Sequence, residues 1–252
     1  MKDECILITG GTGKLGKCFT KHLLKNGYKV LVTTTDTNKA EDFRDQLDNK
    51  NQFDFIKIDL SAPEAIDELL EEIETKKIKV NHLVNNARSL KSLKVNENGF
   101  SDREDLMMEY VMHVAVPYEL SIKLHLAQKQ FLKTIINIGS QYGNVAVNPE
   151  LYENDLSNSP IQYSLAKSAL HHLTKELAVR LSHSKIRVNC IAFGGVDGRV
   201  DNEFQNRYSK LTPLGRMLRE DEVVGPLEFL LSDSSSSITG EIISADGGWT
   251  IW

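Results

Sequence analysis

Cysteine is scarce in this sequence: 3 of 252 residues, Cys5, Cys18 and Cys190, all far apart. That excludes a disulfide scaffold, and without the close pairs of a zinc site no metal is expected; buried free thiols are. No apolar run approaches the roughly 20 residues that a membrane helix needs. Met1-Lys2-Asp3-Glu4 leads into an apolar stretch too brief for a signal peptide, so a cytoplasmic protein with no membrane partner is expected. No basic tract exists, and the formal net charge is -5, which leaves no electrostatic footprint for nucleic acid. Solenoid-length repeats are missing too, and Ser234–Ser237 is the only low-complexity patch. With 40% hydrophobic and 26% charged residues the composition is that of a soluble globular protein. The length suits one large α/β core, so residues 1–252 read as a single domain.

What is present is an alternation. Residues 5–9, Cys-Ile-Leu-Ile-Thr, form an apolar β-prone run, followed by a glycine cluster and an amphipathic stretch from Leu15 to Asn26 that Gly27 stops. Similar runs recur at 29–33, 53–59, 80–85, 134–139 and 187–192, with a last strand after the serine patch. Helical stretches lie between them, at 63–76, 102–129 and 164–183 among others. Apolar strands alternating with helices predict a parallel sheet covered on both faces, a Rossmann-like doubly wound α/β fold. Segments 144–160 and 194–214 read as loops. Both follow strands at their carboxyl ends, where open α/β sheets bind ligands, so they are the substrate-facing segments.

The turn Thr9-Gly10-Gly11-Thr12-Gly13-Lys14-Leu15-Gly16 joins the first strand to the first helix. Glycines there permit a tight turn and a close approach of backbone to a pyrophosphate, while the helix N-terminus faces the anion. Gly10, Thr12, Gly13, Lys14, Leu15 and Gly16 are therefore candidate dinucleotide contacts. Asp36, after the second strand, is the candidate ribose carboxylate, but it comes late for that role and suits an N-cap equally. Lys14 and Thr33-Thr34-Thr35 suit a 2′-phosphate instead, so NAD and NADP both stay open.

Tyr163 and Lys167 are four residues apart at the start of an amphipathic stretch, which puts phenol and ammonium on one helix face. A phenol ordinarily titrates near 10, and a neighbouring cation favours its phenolate. Ser140 closes the strand 134–139 and offers a hydroxyl to hold a substrate oxygen while Tyr163 exchanges its proton.

In this order Thr9-Gly10 with Gly13 and Gly16, Asp59-Leu60, Asn85-Asn86-Ala87, Ser140, Tyr163 with Lys167, Arg187-Val188-Asn189 and Asp246-Gly247-Gly248 resemble the short-chain dehydrogenase/reductase family over essentially the whole chain. The resemblance implies an NAD(P)-dependent oxidoreductase, with Ser140, Tyr163 and Lys167 catalytic. It implies Asp59 and Leu60 by the adenine, Asn85 and Ala87 by the adenosine part, Tyr163 and Lys167 by the nicotinamide ribose, and Gly194 and Val196 by the nicotinamide. Asp246-Gly247-Gly248 reads as structural. The family also implies a homodimer or homotetramer, for which the C-terminal Trp249-Thr250-Ile251-Trp252 suits an interface.

Departures from the family pattern are informative. The glycine spacing is that of its extended members. His113 stands where an asparagine usually completes a catalytic tetrad, and either its carbonyl or its ring is a candidate for the proton relay. Phe193-Gly194-Gly195 replaces a common Pro-Gly. Between Ser140 and Tyr163 the chain is longer than usual, so Gln141, Tyr142, Tyr152 and Glu153 are candidate substrate contacts. Together with His172-Leu173-Thr174-Lys175 and Gly194-Gly195-Val196-Asp197, this insertion resembles a subgroup linked to flagellin modification and sialic-acid-like sugars. That implies a small-molecule substrate, a phosphorylated or nucleotide-linked (amino) sugar, with Lys91, Lys94 and Arg199 as candidate phosphate contacts. Alternatives are a sugar epimerase or dehydratase, suggested by the glycine spacing, and a dinucleotide-binding regulator without turnover, suggested by His113 and Phe193.

Overall fold

The computed structural model describes residues 3–152, 159–198 and 200–252; Glu153 and Arg199 lie outside them. Leu7 faces one side of a sheet while Ile6 and Ile8 face the other, and all three are fully buried. Burial on both sides is why the strands read as continuous apolar runs rather than as alternating ones. The strands are β1 (Cys5–Ile8), β2 (Lys29–Thr34), β3 (Phe53–Lys57), β4 (Val80–Asn85), β5 (Thr134–Ser140), β6 (Arg187–Phe193) and β7 (Ile242–Ala245). They pair in parallel in the order β3-β2-β1-β4-β5-β6-β7.

Helices α1 (Lys14–Lys25), α2 (Thr37–Asp45) and α8 (Val224–Leu231) cover one face with Phe19, Leu23, Phe43, Leu227 and Leu230. The opposite face carries α3 (Ala65–Thr75), α5 (Val116–Ala127) and α6 (Ile161–Arg180), through Leu69, Ile73, Leu120, Leu124 and Leu177. Each such side chain contributes about 1.5–3 kcal/mol by leaving water. This is the doubly wound single domain that the sequence predicts.

Two expectations need correction. The stretch 102–129 is not one helix: α4 (Arg103–Tyr110) and α5 are joined by a π-turn, Val111–Ala115. Pro117 has no N–H to give the carbonyl of His113, its partner in a regular α-turn, and its ring would crowd that carbonyl. A wider turn relieves both. The second substrate segment, 194–214, is not all loop but holds α7 (Asn202–Lys210), capped by Asp201, whose carboxylate accepts from Phe204 N at 2.7 Å. In the first, Pro149–Leu151 forms a short 3-10 turn with Leu151 fully buried.

Gly11 lies so close to β2 that a Cβ would sit 2.3 Å from Cγ1 of Val32. Gly11→Ala is expected to destabilise the fold by about 1–3 kcal/mol through overpacking. Urea unfolding monitored by circular dichroism checks it.

Candidate active site

The sheet order reverses between β1 and β4, so the chain leaves their carboxyl ends in opposite directions and a crevice opens. A cavity of about 1020 Å³ fills it, floored by the turn after β1 and by residues following β2, β3, β4, β5 and β6. Asn86 ties the first and fourth turns together, its Nδ2 donating to the carbonyls of Thr9 and Gly10 at 2.9 and 3.1 Å. Thr9 Oγ1 accepts from the amides of Asn86 and Ala87 at 2.9 and 3.0 Å.

Gly10, Thr12, Gly13, Lys14 and Leu15 line the cavity. Gly10 has φ +63, and a Cβ there would meet Cα of Ala87 at 2.9 Å. Gly16 does not line the cavity; a Cβ on it would lie 2.5 Å from the carbonyl oxygen of Gly10, so its role is to let α1 start against the turn. The N-terminus of α1 has no side-chain cap and no acidic residue in its first turn. Its unspent amides therefore suit an external anion, and the glycine cradle fits a pyrophosphate. Lys14 does not point to the adenosine edge: its Nζ donates to the Asp197 carbonyl, reaches that of Val196 at 3.4 Å and lies 3.5 Å from Glu220.

At the end of β2 the cavity is lined by Thr33, Thr34, Thr35 and Lys39. Asp36 is absent from this lining; its carboxylate accepts from the Lys39 amide at 3.1 Å as the N-cap of α2. Asp59 and Leu60 do line the site, as does Ala87. The Asp59 carboxyl is held below the usual range by hydrogen bonds from the side chain and amide of Ser61. Asn85 does not line the cavity; within the sheet its Nδ2 donates to Asn137 at 2.8 Å and Asn137 donates to Thr174 on α6 at 2.9 Å.

Ser140, Tyr163 and Lys167 line the same cavity, at the other end from the threonines. Helix α6 starts at Ile161, earlier than its periodicity suggests, with Pro160 at the N-cap, so Tyr163 and Lys167 occupy successive turns of one face. Lys167 Nζ lies 5.6 Å from the Tyr163 ring centre. The ammonium is buried and donates to the carbonyl of Ile138 at 2.6 Å. Burial pushes the Lys167 pKa down to about 7, with Arg88 adding to the shift and Cys190 and Glu109 opposing it. Ser140 Oγ accepts from the amide of Tyr142 at 3.2 Å.

Sequence reasoning missed Arg88, whose guanidinium lies 5.3 Å from the Tyr163 ring centre. The signal was available, because Arg88 directly follows Asn85-Asn86-Ala87 at the end of a central strand. His113 does not line the cavity; it lies buried behind Tyr163, with ring centres 5.7 Å apart edge to face, and its Nε2 is 3.2 Å from the buried Glu109.

Beyond Tyr163 the walls turn apolar and aromatic. Tyr142, Tyr152, Phe204, Tyr208, Met112 and Met217 line this end with Gln141, Gly194 and Val196. Tyr208 Oη donates to Gln141 Oε1 at 2.9 Å and accepts from the Gly195 amide at 2.8 Å, so Gln141 is engaged within the wall. Trp249 is buried within this chain and stacks on Tyr208 at 4.5 Å. Asp246 braces it, accepting from Gly248 and Thr250, the structural role expected. Lys91 lines the cavity and Lys94 does not. No group of three metal-ligating side chains is found among the described residues.

A family model described as enoyl-(acyl carrier protein) reductase matches residues 14–250. Curated relatives include "Post-translational flagellin modification protein A" of Campylobacter coli, 28% identical with 99% of each chain covered. The "Uncharacterized oxidoreductase YmfI" of Bacillus subtilis is 31% identical over 98% of this chain and 99% of its own. Among solved structures, a short-chain dehydrogenase from Leptospira borgpetersenii with bound NAD+ superposes with a TM-score of 0.85 at 28% identity, covering 99% of this chain and 94% of that one. The crevice with its glycine turn, facing a Tyr-Lys helix, is that of a dinucleotide-dependent oxidoreductase. The chain belongs to the short-chain dehydrogenase/reductase family.

Tyr208→Phe is expected to leave Gln141 and the Gly195 amide short of a partner, at a cost of about 1–3 kcal/mol. Thermal unfolding checks that loss, and once a substrate is in hand its KM is expected to rise more than kcat falls.

Proposed function

We propose that this protein is an NADP(H)-dependent oxidoreductase that interconverts a secondary alcohol and its ketone on a sugar. One observation carries the reading: a phenol, a buried ammonium and a serine hydroxyl share one cavity with an uncapped helix N-terminus. The nicotinamide, when bound, supplies or accepts the hydride. Tyr163 gives its proton to the substrate oxygen in reduction and takes it back in oxidation, while Ser140 holds that oxygen. Lys167 places a positive charge 5.6 Å from the centre of the Tyr163 ring, where negative charge develops as the proton leaves. NADP is preferred because three threonines and Lys39 line the 2′ edge while the nearest carboxylate there, Asp36, is spent on capping α2.

For the substrate, a phosphorylated or nucleotide-linked hexose, an amino sugar included, is supported by the flagellin-modification relative and by the walls. Tyr152 and Phe204 offer aromatic faces to the C–H side of a pyranose, Glu104 and Asp105 suit an amino group, and Lys91 suits a phosphate. A role in bacterial surface-glycan synthesis in the cytoplasm follows from this reading. Exposed apolar side chains on α5 and α6, Tyr118, Leu126, Leu165 and Val179, together with Ile251 and Trp252, suit a homodimer or homotetramer.

Tyr163→Phe is expected to lower turnover by roughly 10²–10⁴ while cofactor affinity is largely kept, measured by nicotinamide absorbance against a panel of phosphorylated and nucleotide sugars with both cofactors. A fully active Phe variant defeats the assignment, and cofactor binding without any absorbance change favours the regulator instead. Thr35→Asp is expected to reverse the preference for NADP, read as the ratio of kcat/KM values. Because the Lys167 charge is present below about 7 and lost above it, carbonyl reduction is expected to fall as pH rises through that region. Leu165→Glu is expected to yield monomer by light scattering.

A further inference from the structure

Glu109, near the end of α4, is fully buried. Excluding a carboxylate from water costs several kcal/mol unless partners replace the water. Its partners come from two elements around Tyr163. Ser92, in the segment after β4, donates its hydroxyl to Oε1 at 2.6 Å. His113, in the π-turn, brings Nε2 to 3.2 Å from Oε2, a close charge contact without hydrogen-bond alignment, and neither atom has a hydrogen-bond partner among the described residues. An ionised carboxylate only accepts, so the proton of the imidazole belongs on Nε2 and the lone pair on Nδ1. The ring so fixed stands edge to face against Tyr163.

Two cations stand near the same phenol. Arg88 and Lys167 lie 5.3 and 5.6 Å from its ring centre. Gln162, beside Tyr163, donates to the carbonyls of Ser92 and Lys94 at 2.8 and 3.0 Å, which ties the segment bearing Arg88 and Ser92 to the catalytic helix. Other titratable groups close by are Glu104 and Asp105 on α4, and Cys190 and His171 beside Lys167. Burial opposes ionisation of Glu109, but the nearby imidazole of His113, the hydrogen bond from Ser92 and the charge of Arg88 outweigh it and hold the carboxyl below its usual range. Burial and the Lys167 charge keep His113 neutral, near 4. Glu109 is also among the charges that hold the proton on Lys167.

We propose that Glu109 is a positioning residue of the reaction: acting through His113 it sets the imidazole tautomer and its edge against Tyr163, and it keeps a negative charge behind the Tyr163–Lys167 pair. Neither Glu109 nor His113 lines the cavity, so both act on the reaction through that pair. The proposal rests on the oxidoreductase reading above, which Tyr163→Phe tests separately.

Removing an anion makes neighbouring groups give up protons more readily. Glu109→Gln is therefore expected to move the pH-rate limb of the Tyr163–Lys167 pair to lower pH by about half a unit to one unit, or roughly 3- to 10-fold in rate on that limb. Cofactor affinity is expected to hold. Ser92→Ala, which removes the loop tie but leaves the charge, is expected to keep the limb in place. A limb unmoved in Glu109→Gln, or moved equally in Ser92→Ala, overturns the proposal in favour of a merely structural carboxylate. A test that needs no variant and no turnover is ¹⁵N NMR of the His113 imidazole in the wild-type protein. The expected signal is the neutral Nε2–H tautomer from about pH 5.5 to 8; an Nδ1–H tautomer, or an imidazolium in that range, overturns it.

Discussion

The ammonium of Lys167 is shut away from water, and that constraint organises everything near it. A buried cation must be given fixed partners, because no mobile solvent can replace its hydration. The carbonyl of Ile138 meets it at 2.6 Å, so α6 has to dock on β5 within hydrogen-bond tolerance. Two devices hold it there. The amide ladder from Asn85 through Asn137 to Thr174 crosses from β4 to the helix. Gly139 lets the helix come close, since a Cβ there would stand 2.5 Å from Nε2 of His171. The precision of the Tyr-Lys face is thus inherited from the sheet interior.

Charge balance completes the arrangement. Arg88 and Lys167 bring two cations to one phenol, while Glu109 behind them is the fully buried carboxylate. The π-turn that carries His113 follows from Pro117 four residues on, so a helix defect and a charge cluster meet at one place. The opposite end of the cavity has a different logic: glycine backbone and threonine hydroxyls line it, and the local acid, Asp36, is turned to the helix start.

The strands, the glycine turn and the Tyr-Lys helix were legible because each is local: periodicity, a cluster within seven residues, a spacing of four. What escaped is non-local. Glu109 sits on a helix of mixed polarity, and nothing in its neighbours along the chain announces burial against Ser92. The break at 111–115 goes with Pro117, which sits within a run that is otherwise helical in character on both sides. α7 was hidden because its charged sequence, Asn202–Lys210, buries little besides Tyr208.

The stack running from Tyr152 through Phe204 and Tyr208 to Trp249 gives the molecule a built-in optical reporter. Of the two tryptophans, Trp249 is buried against a ring whose hydroxyl reaches Gln141 in the cavity wall, whereas Trp252 is exposed. Their emission should separate into a blue and a red component, and only the blue one is coupled to the chamber in which a substrate would sit.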